Sequence, residues 1–376
     1  MAEMRDCQKR GDSEQLLNMQ EQKKNRLCMA EYQGRCDENG TAVGHAPKVL
    51  GEYHALIRET FSAEVFAPRC ILEAADVQCG CGAKVLPHHI VMKGHPSLFE
   101  KIWNKVRMFS NIHSVFRHTG AEKIWFFNTE FYLMLYLALF GNHGKQIFCT
   151  MFLDGYHGGF TARIKQRIFE RAQKKMRCII ATGPQLQFKN ARQLFLPDYA
   201  YDEAVYGSYR AARKEEMAVC LGTMGAEKEI EALVECFTRN GYPLHIAGRF
   251  YDKERVERLR KAAGKNILIE DVYLSRGEYL TLLGKARYVV LPYRPAQYGT
   301  QTSGVLQEAV FLDTIPVSYE KVLSGNGIPG IGFADWEELT AEKLRKRPET
   351  AAYAQLREGV YSRQQMKNAL EKLFLE

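Results

Sequence analysis

The sequence predicts an α/β protein with two doubly wound parallel-sheet domains. Three observations lead there. Short apolar strand patterns alternate with helical ones through residues 25–200, the alternation breaks, and it restarts from residue 217. Such alternation favours parallel pairing, with helices covering both faces of each sheet. A chain of 376 residues is also too long for one ordinary domain.

In the first block "NRLCMAEY" reads as a strand, followed by the glycine-punctuated loop "QGRCDENGTAVGHAPK" and the helical pattern "KVLGEYHALIRETF". "AEVFAP", "AKVLPHHI", "KIWFFN", "KQIFCTMFL", "RCIIAT" and "RQLFLP" are further strands. Between them lie the helices "LFEKIWNKVRMFSNIHSVFRHT", "FYLMLYLALF" and "ARIKQRIFERAQKK". "PDYAYDEAVYGSYRAARKEE" has no clean period and reads as a break containing a linker. The second block runs "MAVCLGTM", "PLHIAGRF", "NILIEDVY", "RYVVLPY" and "TIPVSY" as strands, again separated by helical patterns. The expected divisions are a polar tail 1–24, a domain 25–200, a linker 201–216, a domain 217–350 and an amphipathic helix within 351–376. Ligands of such sheets bind at the carboxyl ends of the strands, so a cleft between the two domains is the expected site.

Hydrophobic content of 46% and charged content of 26% suit a soluble protein with true cores. The ten-residue run "FYLMLYLALF" is too short to cross a bilayer and reads as a buried helix. The first two dozen residues lack the apolar stretch of a signal peptide, so a cytoplasmic location is expected. The ten cysteines are scattered and form no disulfide framework; Cys149, Cys178 and Cys220 sit in apolar strand patterns as small hydrophobes. Cys79 and Cys81 form a close pair near His88 and His89, but the spacing matches no common zinc pattern, and a reduced loop is expected.

The net charge of +8 is uneven: residues 1–210 carry 28 basic and 21 acidic residues (+7), residues 211–376 carry 24 and 23 (+1). Much of the excess lies in "TARIKQRIFERAQKKMR", residues 161–177, with seven basic residues and one acidic. Ile164, Ile168 and Phe169 give this segment an apolar stripe. A solvated basic face is one reading, and reversible contact with an anionic inner membrane face is the other.

The stretch "LPYRPAQYGTQTSGVLQEAV", residues 291–310, raises the functional question. A strand runs into a polar turn, and the turn feeds an apolar helix that carries Glu308. Thr302, Ser303 and Gly304 at a helix start are either plain capping or a cradle for a phosphorylated ligand. Around this stretch the second block resembles the nucleotide-sugar domain of retaining GT-B glycosyltransferases, the glycogen synthase and glycosyl transferase group 1 kind. "GTMGAEKE" matches Gly222 and Lys228 of that family's Gly-Arg-Leu-x-x-x-Lys-Gly pattern, and "HIAGRF" carries its glycine turn at Gly248. "TQTSGVLQEA" places Glu308 and Ala309 at the second carboxylate of its Glu-x7-Glu pattern. The family's first glutamate falls on Thr300, and its arginine on Thr223.

The resemblance covers residues 217–335 and implies a donor site at Gly222, Thr223, Gly248, Arg249, Thr302, Ser303, Gly304 and Val305. Lys228 would face the leaving diphosphate, and Glu308 would accept from the ribose hydroxyls. It implies retention of configuration and no cofactor beyond the nucleoside diphosphate sugar itself. No Asp-x-Asp triplet occurs, and no metal is expected. On the acceptor side, Gly40, Gly44 and His45 follow the first strand. "FLDGYHGG" brings Asp154 and His157 to the end of another, His157 as the candidate to orient the acceptor or bond the transferred sugar. The expected partners are a nucleotide sugar and a glycan or lipid-linked acceptor of cell-surface polysaccharide synthesis, with no nucleic acid. A catalytically inert sugar-nucleotide-binding homologue and a nucleotide-sugar epimerase are the alternatives.

Overall fold

The computed structural model describes residues 25–44, 46–77, 82–92, 97–156, 159–225, 228–294, 302–346 and 350–376. They form two compact units. The first holds the described residues through Ala181, with 188–194 and 364–376; the second holds 182–187 and 195–363.

The strands of the first unit are β1 (Arg26–Ala30), β2 (Arg35–Cys36), β3 (Ser62–Ala67), β4 (Ala83–Val85), β5 (Ile90–Val91), β6 (Lys123–Phe126), β7 (Gln146–Met151), β8 (Cys178–Ala181) and β9 (Gln193–Phe195). Seven make one sheet in the order β4-β3-β1-β6-β7-β8-β9, and β2 pairs with β5. "AKVLPHHI", expected as one strand, is thus divided between two sheets. β1 is central because Leu27, Cys28, Met29 and Ala30 are all buried, and only a strand covered on both faces tolerates an unbroken apolar run. The apolar helix Phe131–Phe140 forms as expected, its Leu133, Met134, Tyr136 and Leu137 buried, and it ends at Gly141 with φ +77°.

The second unit adds β10 (Glu215–Leu221), β11 (Leu244–Gly248), β12 (Ile267–Asp271), β13 (Ala286–Val290), β14 (Ile315–Tyr319) and β15 (Ile331–Phe333). They pair in parallel in the order β12-β11-β10-β13-β14-β15. Counted within the unit this is 3-2-1-4-5-6, the doubly wound order whose direction reverses between its first and fourth strands.

Two expectations are corrected, and a third is sharpened. The segment 201–216 is packed into the second unit and is no free linker. Tyr201 stacks on Phe311 at 4.4 Å, Tyr206 lies against both, and Arg210 donates to the Phe311 carbonyl at 2.7 Å. Lys214 is anchored on the carbonyls of Gly284 and Leu312, and burial lowers its amine to about 8. Irregular periodicity hid these anchors because each is a single aromatic or cation, with no repeat to read. In the basic segment, helix Gly159–Gln173 turns Phe169 fully inward against Tyr156 and Phe188, so the expected apolar stripe does not face solvent as one strip. Among the cysteines, Cys36 and Cys70 are joined by a disulfide, while Cys149, Cys178 and Cys220 are free and buried as expected. Cys79 and Cys81 lie outside the described residues.

The last helix, Arg363–Leu375, belongs to the first unit from Gln364 onward. Phe374 packs edge-on against Phe61 and Phe148 and against the Trp125 ring at 5.3 Å, and its carbonyl accepts from the buried Lys123 ammonium. Phe374→Ala should therefore cost about 3–5 kcal/mol, the usual cost of emptying an aromatic core position. Urea unfolding followed by tryptophan emission measures it; a loss below about 1 kcal/mol would mean the helix is an ornament to that core.

Candidate functional site

In the second unit the site is built where the strand order reverses, at the carboxyl ends of β10 and β13. Gly222 ends β10 with φ +95°, and its N–H donates to the Ala247 carbonyl at 3.2 Å. A Cβ built on Gly248 would lie 1.7 Å from the Gly222 carbonyl oxygen. The two glycine turns thus touch backbone to backbone, leaving the strand ends bare for a ligand.

Lys228 follows the β10 turn and pairs by an antiparallel bridge with Tyr293, just beyond β13. Its side chain is buried, with Nζ donating to the Leu221 carbonyl at 3.3 Å and standing 5.7 Å from the Tyr293 ring centre. Arg255 fixes this loop from below through the carbonyls of Gly225 (2.9 Å) and Lys228 (3.0 Å). Ser303 Oγ donates to the same Tyr293 hydroxyl at 3.4 Å. One tyrosine therefore links the lysine to the helix start.

Helix Gly304–Phe311 begins at Ser303, yet the Ser303 side chain makes no capping bond. Plain capping is thus not what this serine does. Thr302 accepts from the Thr182 hydroxyl at 2.9 Å, and both residues are buried. Gly304 sits close under its neighbours: a Cβ there would fall 3.0 Å from Asp198 Oδ2 and 3.2 Å from the Tyr199 ring. The buried Asp198 carboxylate thus lies at the positive end of the helix. The Asp198 N–H donates to Gln307 Oε1 at 3.1 Å. One turn in, Glu308 is buried and accepts from the Tyr279 hydroxyl at 2.8 Å. Burial, with the Glu308 charge beside it, raises the Tyr279 phenol well above its usual value.

The structure therefore gathers Gly222 with Gly248, and Lys228 with Ser303. Thr223 and Arg249 are exposed, Arg249 resting on the Tyr273 ring at 4.4 Å. Val305 is half-buried. Sequence reasoning missed Tyr279, Tyr293 and Asp198. Tyr293 lay in the quoted "LPY", but a tyrosine there looks like strand; Asp198 lay in the stretch read as the break. Thr300 lies outside the described residues.

In the first unit Gly40 takes φ +80° in a turn organised by Asp37, whose carboxylate accepts from the N–H groups of Asn39 and Thr41 at 3.0 and 2.9 Å. Gly44 takes φ +89°. His45 and His157 lie outside the described residues. Asp154 is half-buried. Nearby, Tyr156, Gly159, Arg163, Gln166, Arg167 and Glu170 line a cavity of about 390 Å³. Gln166 accepts from the Tyr156 N–H at 2.9 Å and donates to Glu170 at 3.1 Å, and the lining sets two arginines against this one carboxylate.

No family model matches the chain, and no curated protein matches it in sequence. Solved structures do match. The sucrose-phosphate synthase of Thermosynechococcus elongatus superposes with a TM-score of 0.65 at 15% identity, covering 93% of this chain and 99% of its own. The E. coli trehalose-6-phosphate protein bound with UDP-2-fluoro glucose gives 0.62 at 8%, covering 93% and 99%. AviGT4, a glycosyltransferase involved in avilamycin A biosynthesis, gives 0.58 at 13%, covering 93% and 96%. The fold is the GT-B fold.

The reversal point of the first sheet holds a buried acid. Glu31 follows β1, its Oε1 accepting from the Gln33 N–H at 2.9 Å, and burial pushes its carboxyl up to about 8. A raised folded value means the native state holds a proton that the unfolded chain has released, so stability falls as pH rises from about 4.5 to about 8. Glu31→Gln has no such proton to lose. Its melting temperature should exceed that of the wild type by a margin that widens across this interval; a margin independent of pH would assign the effect to packing.

Proposed function

We propose that the chain is a glycosyltransferase that moves a sugar, with retention, from a nucleoside diphosphate donor to a glycan or lipid-linked acceptor. The observation that carries this reading is the GT-B fold with a glycine-built strand end, a lysine and an uncapped helix start grouped at one reversal point. The helix start and Gly222 would receive the diphosphate, and Lys228 would turn from the Leu221 carbonyl to offset the charge that develops on the leaving group. Glu308, which Tyr279 positions, would accept from the ribose hydroxyls of the donor. The solved neighbour that holds UDP-2-fluoro glucose supports a nucleotide sugar as ligand.

Binding of the donor needs no divalent ion in this reading, since helix and lysine supply the positive charge. The arginine-lined cavity beside Asp154 suits an acceptor that carries negative charge, and the exposed cations of residues 161–177 suit an anionic membrane face. We place the work at the cytoplasmic side, in cell-surface polysaccharide synthesis. The inert homologue is the second reading, favoured by Thr223 where the family has arginine.

Calorimetric titration with UDP and GDP, with and without EDTA, tests the donor site: binding should survive the chelator, and its abolition would remove the metal-free reading. Glu308→Gln should lose about 1.5–3 kcal/mol of charge-assisted bonding, roughly ten- to a hundredfold in kcat/KM, with little change in melting. Ser303→Ala, which loses only the bond to Tyr293, should cost about 0.5–1.5 kcal/mol of stability and harm turnover less than Glu308→Gln. Wild-type turnover in Glu308→Gln would take the donor site away from this helix.

A further inference from the structure

Helix Leu98–His118 of the first unit buries only its second half. Met108, Asn111, Ile112, Val115 and Phe116 are buried, whereas none of residues 98–107 is. The unburied half is nonetheless apolar: Leu98, Phe99, Ile102, Trp103 and Val106 are 74, 72, 51, 47 and 48% exposed. At 3.6 residues per turn these five share one arc of about 140°. Lys101 and Lys105 border the arc on one side, and Arg107 borders it on the other. The acid of this half, Glu100, is tied back to the Ser97 N–H at 2.8 Å in a capping box, so its charge stays at the helix start. A contiguous exposed apolar strip of this kind marks a surface that meets something.

We propose that this half-helix docks the protein on an anionic lipid surface. The arc enters the boundary between headgroups and acyl chains, and the long stems of Lys101, Lys105 and Arg107 carry their charges out to the lipid phosphates. Trp103, at the rim of the arc and stacked with Phe99 at 6.2 Å, sits at the depth where indoles gather. A second copy fits this face poorly. Both flanks are basic, so any pairing of two arcs sets cations against cations. The docking does not rest on the donor reading, and it differs from the charge-only contact proposed for residues 161–177.

Co-sedimentation of the full chain with neutral phosphatidylcholine vesicles and with vesicles containing phosphatidylglycerol tests it. Binding to the anionic vesicles is expected, with a blue shift of tryptophan emission, because Trp103 is half-exposed while Trp125 is fully buried and Trp336 is packed against the core of the second unit. Phe99→Ser/Trp103→Ser should weaken binding about tenfold or more with an unchanged circular-dichroism melt; Trp103→Phe should keep the binding and lose the shift. Undiminished binding by the double variant overturns the proposal. So does loss of binding only on Arg163→Glu/Arg167→Glu, which moves the contact to the other helix. A dimer in sedimentation equilibrium that the double variant dissolves, without vesicle binding, would hand the face to a second copy.

Discussion

No side chain fits at position 248. A Cβ there would overlap the Gly222 carbonyl, and that exclusion lets two strand ends meet through their backbones alone. Everything proposed for the second unit depends on it. Were Gly248 to carry a side chain, β10 and β11 would part at their carboxyl ends, and the turn that leads to Lys228 would shift with them; at Gly222 the constraint is the backbone, which takes φ +95°. Tyr293 then transmits the position of that turn to Ser303, and so to the helix start. The site is thus a set of main-chain surfaces held in register by three contacts, with few functional side chains of its own.

The helix start reached by this chain of contacts is occupied in a particular way. At its first residue, Gly304, the Asp198 carboxylate and the Tyr199 ring would have to give by a few tenths of an ångström to admit even a Cβ. A carboxylate there offsets part of the helix dipole before any ligand arrives. An incoming diphosphate has to share that end with a resident negative charge, which makes the lysine on the neighbouring turn more than an accessory.

The architecture was readable from the sequence because parallel strands buried on both faces spell unbroken apolar runs, and nearly every such run became a strand. Gly222 and Gly248 entered through the resemblance to the family's glycine pattern, and the structure sets the two turns against each other. Tyr279 and Tyr293 were not readable, because their phenols act through partners 29 and 10 residues away in sequence, and no local pattern encodes that. The reading of 201–216 as a linker failed on the same ground. An aromatic that fits one distant groove looks, in one dimension, like any residue in a loop. Phe169 shows the converse limit: a helical stripe is legible, but only the fold decides which part of it faces inward.

The path of the chain through its two units has a consequence for how the protein is made. Residues 364–376 belong to the first unit but are synthesised after the whole of the second. Until they emerge, the sheet around β6 and β7 lacks Phe374, and Phe61, Trp125 and Phe148 present an uncovered aromatic surface. The second unit, contiguous from Phe195 to Arg363 apart from the short segment 182–187, can close first. Of the two units, the one whose synthesis starts first is therefore completed second, and until then its aromatic surface is open to other chains.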